Sequence, residues 1–106
     1  MHLFDFLKSP DINQGVKEYH ATPGAVLLDV RTPQEYKEGH ISGSKNVPLQ
    51  TIGNLSSTAD DQQIPLYVYC HSGARSRQAV SMLQRMGYTN VKNIGGITAW
   101  TGKVER

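Results

Sequence analysis

The chain has one cysteine, Cys70, among its 106 residues. That excludes an internal disulfide framework, a CxxC redox pair and a cysteine-rich zinc site. It also lacks a strong charge of either sign: charged residues make up 19% and the formal net charge is +2. Lys8, Lys17, Lys37, Lys45, Lys92 and Lys103 are far apart, so no basic patch implies nucleic acid or an anionic membrane surface. No apolar run approaches the roughly 18 residues that a membrane-spanning helix needs. The opening MHLFDFLKSP carries an acidic residue inside its apolar stretch and no small-residue cleavage site, so it does not read as a secretory leader. A lone unpaired thiol suits a reducing compartment, and the expected location is cytoplasmic. There is no internal repeat and no low-complexity tract. Apolar content of 38% is ordinary for a globular protein, and the length fits a single domain over residues 1–106. Neither a metal nor an organic cofactor is implied.

What is present is an alternation of strand-like and helix-like segments. SPDINQGVKEYHA reads as a helix, with Ser9 as N-cap and Pro10 in the first helical position. AVLLDV (25–30) is a short continuous apolar run, the pattern of a buried strand. In RTPQEYKEGH, Thr32 caps a short helix, Pro33 starts it, Glu35 stands at its third position and Gly39 ends it. SKNVPL offers a short strand stopped by Pro48, LQTIGNLSS is weakly helical and STADDQQIP is a polar loop. LYVYC is rich in strand formers. ARSRQAVSMLQRMG follows with Ala79, Val80, Leu83 and Met86 on one stripe and Gly87 as terminator. NVKNI is a last strand, and GGITAWTG closes with a turn and a short helix. This alternation predicts an α/β fold with a central parallel sheet flanked by helices on both faces. Such sheets bind ligands at the carboxyl ends of their strands, and Cys70 is at such an end.

The stretch CHSGARS carries the chemistry. A thiol attacks only as thiolate, and at its ordinary pKa little of it is ionised near neutral pH. A helix N-terminus favours the ionised form through its unpaired N–H groups and macrodipole. Ser72, Gly73 and Ala74 lie between strand end and helix start, where their N–H groups can form a cradle for an anion. Gly73 permits a backbone angle that other residues resist, and Arg75 adds a planar positive fork for an oxyanion. Taken singly, each has a plainer reading: most lone cysteines are inert core, Arg75 alone would be a solvated helix residue, and Gly73 alone a turn. Together at one strand-to-helix turn they point to an activated thiolate beside a small-anion site.

CHSGARS resembles the active-site loop of the rhodanese-like, single-domain sulfurtransferase family. LLDVRTPQEYKEGHISGSKNVPL (27–49) and NIGGITAW (93–100) resemble two further segments of that family, so the likeness covers most of residues 25–100, while the N-terminal helical segment 1–22 carries little of it. The resemblance implies a rhodanese-like three-layer fold and transfer of a sulfane sulfur, commonly from thiosulfate, through a persulfide on Cys70. It implies that the loop at His71, Ser72, Gly73, Ala74 and Arg75 holds the persulfide and the donor, with Ser76 and Asp29 in support. Cyanide, a thiol or an acceptor protein would then take the sulfur.

Around the loop, Asp29 is expected near the strand ends, accepting loop hydrogen bonds or pairing with an arginine, with a plain turn-forming carboxylate as the equal alternative. Arg31 and Glu35 are four apart across a helix start, and the resemblance implies that they are a structural pair without a chemical role. His40 reads as a satisfied structural histidine, His71 as solvent-facing, and Trp100 as core packing with its N–H bonded at an edge. Leu3, Phe4, Phe6 and Leu7 are expected to dock the N-terminus onto the domain, ahead of the alternative of an exposed patch for a partner. Two other functions compete. A cysteine-dependent phosphatase or arsenate reductase uses the same cysteine–arginine logic, but with five loop residues between the two; here there are four, His71 to Ala74, and no aspartic general acid is evident. An interaction module or persulfide carrier would share the loop and differ in acceptor.

Overall fold

The computed structural model describes residues 10–57 and 62–106. The expected positions Leu3, Phe4, Phe6, Leu7 and Ser9, and the middle of the STADDQQIP segment, lie outside the described residues. The first helix, α1 (Ile12–Ala21), begins later than the sequence suggests. Asp11 is its N-cap and accepts from the Asn13 N–H, so Pro10 precedes the helix and is not its first residue. An aspartate at this position serves as well as the serine expected two residues earlier.

Four strands form a parallel sheet: β1 (Val26–Asp29), β3 (Lys45–Asn46), β4 (Leu66–Cys70) and β5 (Val91–Gly96), in the order β3-β1-β4-β5. Helix α2 (Pro33–Glu38) has the capping box the sequence suggests: Thr32 accepts from the Glu35 N–H, and Glu35 accepts from the Thr32 N–H. A 3₁₀ segment, Leu49–Ser57, replaces the weak helix expected there, and α3 (Ala74–Arg85) follows β4 directly. A feature not read from sequence is a second, two-stranded antiparallel pairing of β2 (His40–Ile41) with β6 (Val104–Glu105). Each partner is too short for a period-two pattern to show.

Side chains alternate across the sheet, and this divides the core into two layers. Leu28, Val68 and Cys70 face α3 and the 3₁₀ segment, where Ile52, Leu55, Ala79 and Leu83 are buried. Leu27, Tyr69 and Ile94 face α1 on the other side, meeting Ile12 and Val16. The same alternation that buries Tyr69 under α1 turns the Cys70 sulfur toward α3. Parallel pairing also aligns the strand ends, with Asp29 opposite Tyr69 and Cys70 opposite Gly96. Among the described residues no helix is long and apolar enough to cross a membrane.

Helix α1 lies close to the sheet because Gly15 has no side chain: a Cβ there would stand 2.4 Å from the Ile94 Cβ. Two effects oppose each other in Gly15→Ala. Alanine gains up to about 1 kcal/mol of helix propensity, and overpacking costs about 1–3 kcal/mol. The contact is too short to relax cheaply, so Gly15→Ala is expected to lower the thermal unfolding temperature by several degrees. A raised unfolding temperature would show that α1 can lift off the sheet at no cost.

Candidate active site

Helix α3 starts without a side-chain cap. Its N-cap is Gly73, in the left-handed region at φ 108°, which has no side chain to make a capping bond. The Cys70 sulfur occupies that place: the Gly73 N–H donates to it at 2.9 Å. Burial alone would push the thiol up. The hydroxyl and N–H of Ser76 and the N–H groups of Gly73 and Ser72 outweigh it, and the thiol titrates below its ordinary value. Cys70 is 1% exposed, so these donors act where water screens them little.

A side-chain relay continues behind the sulfur. The thiol donates to Ser76 Oγ at 3.4 Å, and the Ser76 hydroxyl reaches Asn93 Oδ1 at 2.7 Å and the Gly73 carbonyl at 3.0 Å. Asn93 Oδ1 also accepts from the Gly95 N–H at 2.9 Å. A hydroxyl accepts as readily as it donates. Ser76 can therefore accept from the thiol and, once the proton has left, turn its own hydrogen to the thiolate. Asn93 was not singled out in sequence; it appears there only within NVKNI and as the first residue of NIGGITAW, with no role attached.

Those two glycines form the platform under the loop. A Cβ on Gly96 would lie 2.3 Å from the His71 carbonyl oxygen and 2.5 Å from Ser72 Cα. The Thr98 N–H donates to the same His71 carbonyl at 3.2 Å. The loop is thus laid against the end of β5, with its N–H groups left for the sulfur.

The charged neighbours pair differently from the expectation. Arg31 and Glu35 do not pair with each other. Arg31 closes on Asp29, with Nη2 2.6 Å from Oδ2 and Nε 3.0 Å from Oδ1, and its Nη2 also donates to the Gly39 carbonyl at 2.7 Å. Asp29 is fully buried and its carboxylate is taken by Arg31, through the guanidinium and through the Arg31 backbone N–H, which donates to Oδ1 at 2.9 Å, so it forms the arginine pair and turns the chain at the strand end. Arg75 is gripped by Glu35 through both terminal nitrogens, Nη1 to Oε1 at 2.7 Å and Nη2 to Oε2 at 2.9 Å. The guanidinium is therefore turned to α2 and not onto the sulfur. Arg75 holds the Glu35 carboxyl at about 2, against the opposing effect of burial and with help from Thr32. The pair accordingly stays charged throughout the neutral range.

His40 is stacked on Tyr36 and its Nδ1 is 2.8 Å from the Tyr36 carbonyl, the structural role its context suggests. His71 is exposed. Trp100 packs against the α1-side core and donates to the Lys103 carbonyl at 3.0 Å. Beside the loop lies an open cleft of about 400 Å³, walled by His71, Thr98 and Glu35, with Ile97 and Val104 as its apolar part. A groove of similar size on α3, between Arg77, Ser81 and Arg85, includes none of the loop residues.

The relay yields a direct expectation. Ser76→Ala removes one charge-assisted hydrogen bond from the thiolate, so the pH midpoint for alkylation of Cys70 by iodoacetamide should move upward. At neutral pH the rate should fall on the order of tenfold, the worth of one such bond. An unmoved midpoint in the folded variant would assign the ionisation to the backbone N–H groups alone.

Comparison with known proteins agrees with this geometry. The sequence model of the rhodanese-like domain matches residues 13–103. Thiosulfate sulfurtransferase PspE of Escherichia coli (strain K12) is 41% identical over 71 residues, covering 66% of this chain and 68% of that protein. Thiosulfate sulfurtransferase GlpE of Pseudomonas fluorescens is 35% identical over 92 residues, covering 86% of this chain and 80% of its own. Among solved structures, a rhodanese with anions from E. coli superposes with a TM-score of 0.72 at 32% identity, over 77% of this chain and 98% of the other. A parallel sheet that delivers its one cysteine to an uncapped helix N-terminus, matched by the family over most of its length, makes this chain a member of the rhodanese-like domain family.

Proposed function

We propose that the protein is a sulfurtransferase that takes a sulfane sulfur from a small anionic donor such as thiosulfate onto Cys70 and passes it to cyanide or a thiol. The observation that carries this reading is the Cys70 sulfur standing as the cap of α3, with the Gly73 N–H 2.9 Å away. The same position favours the thiolate that attacks and the persulfide anion that results.

In the first half-reaction the Cys70 thiolate attacks the outer sulfur of thiosulfate. A new S–S bond forms, the donor's S–S bond breaks and its electron pair leaves with sulfite. Charge balances without an oxidant: a thiolate and a dianion give Cys70–S–S⁻ and sulfite dianion. The terminal sulfur then lies among the N–H groups of the turn at His71, Ser72, Gly73, Ala74 and Arg75. In the second half-reaction cyanide attacks that sulfur, thiocyanate leaves and the Cys70 thiolate is restored. A thiol acceptor, free or on a protein, would enter by the same step. No general base is needed where the thiol is already ionised. The role of Arg75 is to offer the donor's oxyanion the guanidinium edge not used by Glu35. The supporting role of Asp29 is indirect: it fixes Arg31, which ties the end of α2 to the strand ends through the Gly39 carbonyl.

Cys70→Ser should abolish thiocyanate formation from thiosulfate and cyanide with little change in unfolding temperature. Retained turnover would rule out the persulfide route. Arg75→Ala should raise KM for thiosulfate several-fold, while costing no more than about 1 kcal/mol of stability, as expected for a partly exposed ion pair. Equal loss of folding and activity would make the arginine a structural residue instead.

A further inference from the structure

The Glu35–Arg75 pair has features that a merely structural ion pair does not require. Both partners are partly exposed, at 28% and 33% of their side-chain surface. Helix α2 buries none of its residues, and the pair joins it to the first turn of α3 at the half-exposed rim of the loop. Glu35 is nonetheless fixed from several sides: Oε1 accepts from the Thr32 N–H at 3.0 Å, from its hydroxyl at 3.1 Å and from Arg75 Nη1, and Oε2 accepts from Arg75 Nη2. Glu35 also forms part of the wall of the cleft beside His71 and Thr98. The other arginine there, Arg31, is neutralised by Asp29. Arg75 is the loop's own cation, and its charge is cancelled by a carboxylate that lines the neighbouring cleft.

From this we infer that Glu35 is a specificity-determining residue: by cancelling the charge of Arg75 it makes the site discriminate against doubly charged sulfur donors relative to singly charged ones. The guanidinium still offers its Nε–H edge, because both bonds to Glu35 come from the terminal nitrogens. Hydrogen-bonding capacity for an oxyanion is retained while the net field is removed. Anion binding then rests on the N–H dipoles of the loop, which hold one negative charge well and reward a second one less. The inference builds on the sulfur-transfer reading for its substrates, though its electrostatic content does not depend on it.

The experiment compares two donors of like shape that differ by one charge, thiosulfate and methanethiosulfonate. Each delivers its outer sulfur to the Cys70 thiolate; the first releases sulfite and the second methanesulfinate. Glu35→Gln keeps the capping box, since glutamine serves at that position too, and it keeps an acceptor for Arg75. The kcat/KM ratio of thiosulfate to methanethiosulfonate should rise on the order of threefold or more at low salt, as one uncancelled charge at an exposed site predicts. It should fall back toward the wild-type ratio at high salt. Glu35→Asp, which keeps the charge, should stay nearer wild type, and Arg75→Gln should move the ratio the other way.

A second arm is independent of sulfur transfer: the ratio of Cys70 alkylation rates with iodoacetate and with neutral iodoacetamide should rise in Glu35→Gln by a similar factor. An unchanged alkylation ratio in folded Glu35→Gln overturns the inference, as does an unchanged donor ratio in an active one. If the wild-type protein takes sulfur from neither donor, the sulfur-transfer reading falls and the alkylation ratio alone decides the role of Glu35.

Discussion

Helix α3 has no side-chain cap at its N-terminus, and the Cys70 sulfur stands where such a cap would be. The rest of the site depends on that substitution of a thiol for a hydroxyl or carboxylate. A helix start leaves N–H groups unpaired, and something must satisfy them. A serine or aspartate on the turn would satisfy them permanently and leave nothing for a substrate. A sulfur from the preceding strand satisfies them while remaining a nucleophile. Its ionisation is then coupled to the folding of the turn, because the donors that lower its pKa are the backbone of the helix it caps.

The constraint reaches outward. To aim the sulfur at α3, β4 must keep the register that puts Tyr69 under α1 and Cys70 on the opposite face. To bring the turn down, β5 must end in residues without side chains, since any Cβ on Gly96 would strike the His71 carbonyl. Ser76 and Asn93 close the back of the site. Two arginine–carboxylate pairs then set the electrostatics of the rim. Arg31–Asp29 is buried and ties the β1 end to α2, whereas Arg75–Glu35 is partly exposed and neutralises the loop's own cation. Both guanidinium groups at the rim are thus paired with carboxylates.

Much of this was legible in the residues. The apolar runs VLLD and LYVYC, the Thr32–Pro33–Glu35 cap and the α3 stripe each carry a local signal, and the elements fall where those signals lie. CHSGARS placed the thiol at a strand end, and Gly73 takes the positive φ its position suggested. Most of what escaped depends on tertiary partners. Glu35 has Arg31 four residues before it, yet its partner is Arg75, forty residues away. Asn93 looks like any polar residue of a short strand until the sheet order sets it against Ser76. The β2–β6 pairing joins two dipeptides that have no periodicity to read. At α1, Asp11 took the capping role because an aspartate and a serine near a proline carry almost the same local preference.

The central claim is that Cys70 carries the transferred sulfur. Its most direct test is the intact mass of the purified protein before thiosulfate, after it, and again after cyanide. The account predicts a gain of one sulfur atom confined to Cys70, removed by cyanide with thiocyanate released. A folded protein with a free thiol that gains no mass from thiosulfate would contradict it.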